Sequence, residues 1–345
     1  MSDDRKNHEE NLKKEFAKAE GLDTPEATDV PSTEQTKESK ITNLGKVDPK
    51  RGMGLTDPDD PEIKRLQSLV GYTKVNLEFL PSGGRFYRSD FELHIRPARV
   101  GEIRDFSTVD EASMLDVDDK LNQIVMNCCK VQYGKNIGSF KDLLEEDRLY
   151  MILMIRELTF KEGEARLMLN AKRNRKDKGT GCEQCDNTKI ELKTQNLSFE
   201  EEKELVAKYY DPTNRCFTVA TKSYGEIVMA PPTIGVMRAI TDYIRQKEEE
   251  GKSWDKSSLQ LLPYLQREWR GWSEKDIFSA ITSFQGWDSK KFALIFRLAE
   301  NMKVGVKPEL KKICEGCGTE VLAPLEFPGG IKSLFVVSDI SDELL

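Results

Sequence analysis

Four cysteines in two C-x-x-C pairs are the residues of this 345-residue chain best suited to chemistry. Cys182 and Cys185 stand in GCEQCD, and Cys314 and Cys317 in ICEGCG. Two intervening residues let a tight turn aim both sulfurs of a pair at one point. Two such turns can share a zinc ion tetrahedrally, with each sulfur about 2.3 Å from the metal. Each pair is followed by small polar residues and then by strand-like alternation, Lys189-Ile190-Glu191-Leu192 and Val321-Leu322-Ala323-Pro324-Leu325. That is the knuckle-then-strand order of a zinc ribbon, and the expected cofactor is one structural Zn2+ held by all four cysteines.

Between Cys185 and Cys314 lie 128 residues. Closing a loop of that length costs roughly 4 kcal/mol, against about 10–16 kcal/mol for a structural zinc, so the separation does not forbid a shared site. The alternatives are two half-sites completed across an oligomer, a C-x-x-C redox pair, or free thiols. A redox pair normally opens a helix after a strand, whereas a strand pattern follows both pairs here. Cys128, Cys129 and Cys216 read as buried thiols, the first two because adjacent residues on a helix point about 100° apart and cannot share a metal.

A metal-dependent enzyme is the weakest reading. Four thiolates saturate zinc and leave no open position for water. The two histidines, His8 and His94, make no credible triad or general base. With neither a P-loop nor G-x-G-x-x-G in the chain, no catalytic residues are expected.

Several elements must position the cysteines. The composition, 38% hydrophobic and 33% charged with a net charge of −7, is that of a soluble protein with a polar tail. The opening MSDDRKNHEE lacks the basic and apolar regions of a signal peptide, and no apolar run approaches the ~20 residues a bilayer needs. A cytosolic product without a membrane partner is therefore expected. Residues 1–60 hold 15 acidic and 10 basic side chains with few large apolar ones, which predicts a disordered acidic arm with a frayed helix near 11–20. An α+β core domain over 61–230 carries the first knuckle, a helical region spans 231–303, and 304–345 holds the second knuckle and a C-terminal strand and tail.

Within the core domain, Val75, Leu77 and Phe79 alternate with polar residues, as do Phe91, Leu93 and Ile95. Joined through Pro81-Ser82-Gly83-Gly84, they predict a β-hairpin with a long connection. Helices are expected over 100–106 and 116–129. A third, opened by a capping box at Ser139-Phe140-Lys141-Asp142, runs to Phe160 and lies centrally because LYMILMI is apolar nearly all round. A short helix over 200–210 precedes strands at 216–220 and 224–229, and Pro231-Pro232-Thr233 opens the next helix. A second capping box starts at Ser273. Trp254, Trp269, Trp272 and Trp287 all fall in the helical block, as bundle core or with an exposed pair anchoring a protein partner. Phe335 lies in a last strand-like run that could add to a sheet of this protein or of a partner.

The basic run at 172–178, KRNRKDK, sits just before the first knuckle. A basic loop beside a zinc ribbon could bind nucleic acid, which is the alternative function. The negative overall charge and the lack of interleaved aromatics argue against it.

LPSGGRFY (80–87), FELHIRPA (91–98), KLNQIV (120–125), DRLYMILMIRELTF (147–160), the first C-x-x-C and the helix after APPT (230–233) follow one another between residues 72 and 246. In this order they resemble the baseplate hub assembly family of T-even-type contractile-tailed bacteriophages. The resemblance implies a late viral protein that helps build the central hub of the tail baseplate, as a chaperone or hub component. It implies partnership with other hub and tape-measure proteins, and residence in the host cytoplasm during assembly or in the virion tail. No catalytic residue is carried over by it. The acidic arm and the Trp-rich block lie outside it.

Overall fold

In the computed structural model, β1 (Thr73–Lys74) pairs antiparallel with β2 (Phe91–Ile95), Thr73 opposite Ile95 and Lys74 opposite His94. The structure describes residues 68–160, 165–174, 182–200, 207–266, 268–302 and 304–336, except the side chain of Asp186. The expected acidic arm, its helix near 11–20, residues 175–178 of the basic run, most of the helix at 200–210 and the tail beyond 336 lie outside them.

The expected first strand over Val75–Phe79 is replaced by the two residues before it, Thr73–Lys74, which pair with β2. After Val75, whose N–H still donates to Leu93 O (2.8 Å), the chain leaves the sheet and Leu77–Phe79 form a 3-10 turn. The Asn76 side chain causes this by accepting from Glu78 N (3.1 Å), a local bond that competes with strand pairing. Phe79 is left 65% exposed. The main partner of β2 comes from further on: α1 (Val100–Phe106) and α2 (Met114–Cys128) intervene, and α2 runs directly into β3 (Cys129–Tyr133), which pairs along the whole of β2. With β4 (Asn136–Ile137) the order is β1-β2-β3-β4. Ile124, Val125 and Cys128 on α2 are buried under it.

The Ser139 capping box also exists, with Asp142 as its reciprocal partner, but it caps only a 3-10 turn, Phe140–Asp142. The helix itself, α3 (Glu145–Thr159), starts later. Tertiary pairing takes over the backbone in between: Ile234 N donates to Leu143 O (2.7 Å) and Glu145 N to Pro232 O (3.0 Å). As expected from its all-round apolarity, α3 is central, burying Tyr150, Met151, Ile152, Leu153 and Ile155.

Asp147, near the start of α3, is 0% exposed. Its carboxylate accepts from Ser82 N (2.9 Å), Ser82 Oγ (2.7 Å) and the Tyr87 hydroxyl (2.7 Å). The Tyr87 oxygen in turn accepts from Leu144 N (3.0 Å). Burial pushes the Asp147 carboxyl up, and the bonds from Ser82 and Tyr87 oppose that shift. Gly84 lets the loop close, since a Cβ there would meet Leu77 Cβ at 2.9 Å and its φ of +74° is strained for other residues.

The chain continues through β5 (Met168–Asn170), β6 (Lys172–Arg173), α4 (Glu183–Asn187) and β7 (Lys189–Glu191). Next come β8 (Tyr210–Asp211), β9 (Cys216–Thr221), β10 (Gly225–Met229) and the helices α5 (Ile234–Glu249), α6 (Lys256–Leu265), α7 (Glu274–Phe284) and α8 (Ser289–Asn301), then β11 (Glu309–Ile313) and β12 (Glu320–Pro324). Among the described residues the fold is thus mixed, with eight α-helices and four small antiparallel sheets, the others being β10-β9-β8, β11-β12-β6 and β5-β7. Two clusters of buried side chains organise it. One joins the first sheet, α2, α3 and both knuckles. In the other, β9 and β10 bury Phe217, Val219, Ile227 and Met229 against α5–α8.

The C-terminal strand expectation is corrected. Residues Ile331–Leu334 form a 3-10 turn, and Phe335 is 1% exposed with its ring edge-on to Phe106 at 5.2 Å. Phe335 therefore fills core and offers no anchor to a partner. Gly330, at φ +80°, starts that turn and brings the chain back to the core.

Replacing Asp147 by Ala strands three donors in the interior, so unfolding in urea is expected to show a loss of about 3 kcal/mol. Asp147→Asn keeps one acceptor oxygen and should lose less. Equal stability of Asp147→Ala and the parent chain would refute the anchoring role.

Candidate metal centre

The first knuckle is a single helical turn. Cys182 is the N-cap of α4, and Cys185 N donates to Cys182 O (3.0 Å). Expected to lead straight into a strand, the knuckle passes through this turn before β7, which pairs back onto β5 with Lys189 opposite Asn170. The second knuckle is the tip of the β11–β12 hairpin. There Cys314 N donates to Thr319 O (2.9 Å), Gly318 N donates to Cys314 O (2.9 Å), and Gly318 takes φ +72°.

Strand pairing brings the two together. β6, just before the first knuckle, pairs antiparallel with β12, Arg173 opposite Val321 and Lys172 opposite Leu322. Asn174 extends the contact, its N–H donating to Glu320 O (3.0 Å) and its Nδ2 to Glu320 Oε1 (2.8 Å). The four sulfurs accordingly lie within 4.8 Å of one another, Cys182 Sγ 3.8 Å from Cys314 Sγ and Cys185 Sγ 3.4 Å from Cys317 Sγ. Sulfurs placed tetrahedrally at metal–thiolate bond length stand roughly 3.8 Å apart, so the set fits one ion with small adjustments. Gly316 permits the approach: a Cβ there would meet Gln184 Oε1 at 2.3 Å and Cys182 Sγ at 3.1 Å.

The thiols are electrostatically unequal. Burial pushes Cys185 up to about 12. Hydrogen bonds from Thr319 hold Cys317 down at about 6, and the backbone N–H of Gly316 lowers Cys314. Cys185 and Cys314 are buried, Cys182 is half-buried and Cys317 exposed.

The other expected thiols, Cys128, Cys129 and Cys216, are buried away from this cluster. Of the basic run, Lys172 and Arg173 are exposed on β6, and the neighbouring cations Lys311 and Lys312 on β11 are paired with Glu320 (3.6 Å) and Glu315 (2.9 Å). All four tryptophans are half-buried against the second core. Trp287 packs on Phe284 at 4.3 Å, and Trp254 lines a cleft of about 930 Å3 with Ile240, Tyr264 and Phe296. Trp269 lies on Gly235 and donates through Nε1 to Asp142 (2.8 Å), which Arg270 also grips with Nη2 at 2.8 Å to both oxygens. Sequence reasoning assigned Asp142 only its capping role. A buried acid reached by residues more than a hundred positions away leaves no local pattern. No helix among the described residues is long and apolar enough to cross a membrane.

Gly316→Ala should weaken metal binding roughly 10- to 100-fold, the range for altered outer-shell support, in competition with a chromogenic chelator; unchanged affinity would mean the knuckles do not interlock as described. Because binding a dication must displace the Cys185 proton, affinity should also rise with pH between about 6 and 8. A flat profile would contradict that. No protein-family model, curated protein or solved structure matches this chain.

Proposed function

We propose that Cys182, Cys185, Cys314 and Cys317 hold one structural zinc in a ribbon-like site, and that the chain is a non-enzymatic assembly factor of a phage tail baseplate hub. Sulfur-only ligation favours zinc over hard cations. Four thiolates fill a tetrahedral ion, so the metal acts as a staple and not as a Lewis acid.

One observation carries the assembly reading: the separate motifs of the resemblance meet in space. Ser82 and Tyr87 of LPSGGRFY grip Asp147, the first residue of DRLYMILMIRELTF. FELHIRPA supplies β2, and the helix after APPT begins where Ile234 N binds Leu143 O. Motifs scattered along the chain thus build one nucleus, as expected if together they specify a family fold. Exposed Val100, Met114 and Ile137 offer apolar contact points to a protein partner.

Co-expression with the hub and tape-measure proteins of the same genome should yield a complex that co-purifies, and failure with every one of them would overturn the proposal. Elemental analysis should find about one zinc per chain, with unfolding on chelation. Protein that carries no zinc, or two per chain, would refute the shared site.

A further inference from the structure

Two close sulfur contacts cross between the knuckles and match Cys182 with Cys314 at 3.8 Å and Cys185 with Cys317 at 3.4 Å, within a set whose four sulfurs all lie within 4.8 Å of one another. Each match joins a more accessible thiol to a buried one, half-buried Cys182 to Cys314 and exposed Cys317 to Cys185. We propose that the cluster is also a redox-modification site, at which a peroxide converts the four thiols into two inter-knuckle disulfides, Cys182–Cys314 and Cys185–Cys317. Release of a bound ion in this step rests on the zinc reading; the pairing rests on the sulfur geometry alone.

The chemistry is that of a reacting and a resolving thiol. The accessible sulfur of a pair, as thiolate, attacks one peroxide oxygen; an S–O bond forms, the O–O bond breaks, and the departing hydroxide takes up a proton to leave as water. The facing sulfur then attacks the sulfenic sulfur, an S–S bond forms, the S–O bond breaks, and the second oxygen leaves as water with a proton. The two sulfurs together lose two electrons and the peroxide gains them. Two peroxides therefore convert the whole cluster. An ion that has lost its four sulfur donors departs into solvent.

Closing each pair to a disulfide, about 2.05 Å between sulfurs, asks the two side chains to share a movement of roughly 1.5 Å. The β6–β12 ladder, extended by Asn174 on Glu320, holds the segments beside the two knuckles together. Oxidation in this sense replaces an ionic staple by a covalent one at the same point. A protein carried from a reducing to an oxidising setting would keep its two distant segments joined.

The test uses the full chain as purified, with its metal content measured first. Hydrogen peroxide is added, ion release is followed with a chromogenic chelator, and disulfides are mapped by non-reducing peptide mass spectrometry. The expected map links the Cys182 peptide to the Cys314 peptide and the Cys185 peptide to the Cys317 peptide, with release of the bound ion and retention of the circular dichroism spectrum. Links of Cys182 to Cys185 and of Cys314 to Cys317, four surviving thiols, or oxidation to sulfinic acids without disulfides would overturn the proposal. In Cys317→Ser the Cys182–Cys314 link should form alone, and a Cys182–Cys185 link there would also overturn it. Protein found free of metal that still gives the inter-knuckle map would refute the zinc reading while upholding the pairing.

Discussion

Convergence of four sulfurs from positions 132 residues apart along the chain constrains everything between them. Once Cys182 and Cys185 must stand beside Cys314 and Cys317, the intervening chain has to leave the first core and return to it. It does so as a second structural unit: the sheet β10-β9-β8 and helices α5–α8 pack on one another. After α8 the chain re-enters the first core, where Leu310, Val321, Ala323, Leu334 and Phe335 are buried with the residues of α3. The second unit is in effect inserted into a loop whose ends are held together. Loop closure of roughly 4 kcal/mol is small beside what strand pairing and apolar burial contribute, so a large insertion is tolerated.

A single clasp would still let the inserted unit swing, and two buried carboxylates act against that. Asp142 lies at the join, accepting from Trp269 Nε1 and Arg270 of the second unit while it caps the turn that precedes α3. Its side chain is 6% exposed whereas that of Arg270 is 52% exposed. The value of the contact therefore lies less in charge attraction, which solvent screens on the arginine side, than in adding donors from the second unit to a buried acid that Ser139 N already satisfies in part. Asp147 does the equivalent inside the first core, drawing the 80–87 loop onto α3. The backbone ladder at Leu143, Glu145, Pro232 and Ile234 completes the join. Apolar packing supplies most of the stability, and these polar contacts select one arrangement of the packed parts.

Legibility in the sequence follows the range of the forces involved. The C-x-x-C spacing could be read because metal chemistry imposes it locally, and the meeting of the two pairs followed from valence. α1, α2, β9, β10 and the capped starts of α5 and α7 could also be read, since period and cap are local signals. Where the reading failed, a nonlocal contact or a competing local bond had won. Asn76 bent the first hairpin strand into a turn. Backbone pairing with residues 232 and 234 delayed α3 until Glu145, although Ser139 and Asp142 form the box that the pattern promised. Phe335, in a continuous apolar run that resembles a strand, was taken by the core through its contact with Phe106. The pull of Ser82 and Tyr87 on Asp147 was invisible because each is ordinary by itself, and only the fold brings them together.

The two knuckles of the cluster differ in how they treat negative charge. The second knuckle is a tight hairpin tip whose own donors, the N–H of Gly316 and the groups of Thr319, stabilise negative charge on Cys314 and Cys317. In the assembled cluster these bonds favour the charged form of both sulfurs. On the other side, burial disfavours the charged form of Cys185, and the facing sulfurs push the same way. Completion of the site is coupled to the long-range strand pairing of β6 with β12, because each knuckle supplies only two of the four sulfurs and that pairing sets the two knuckles side by side.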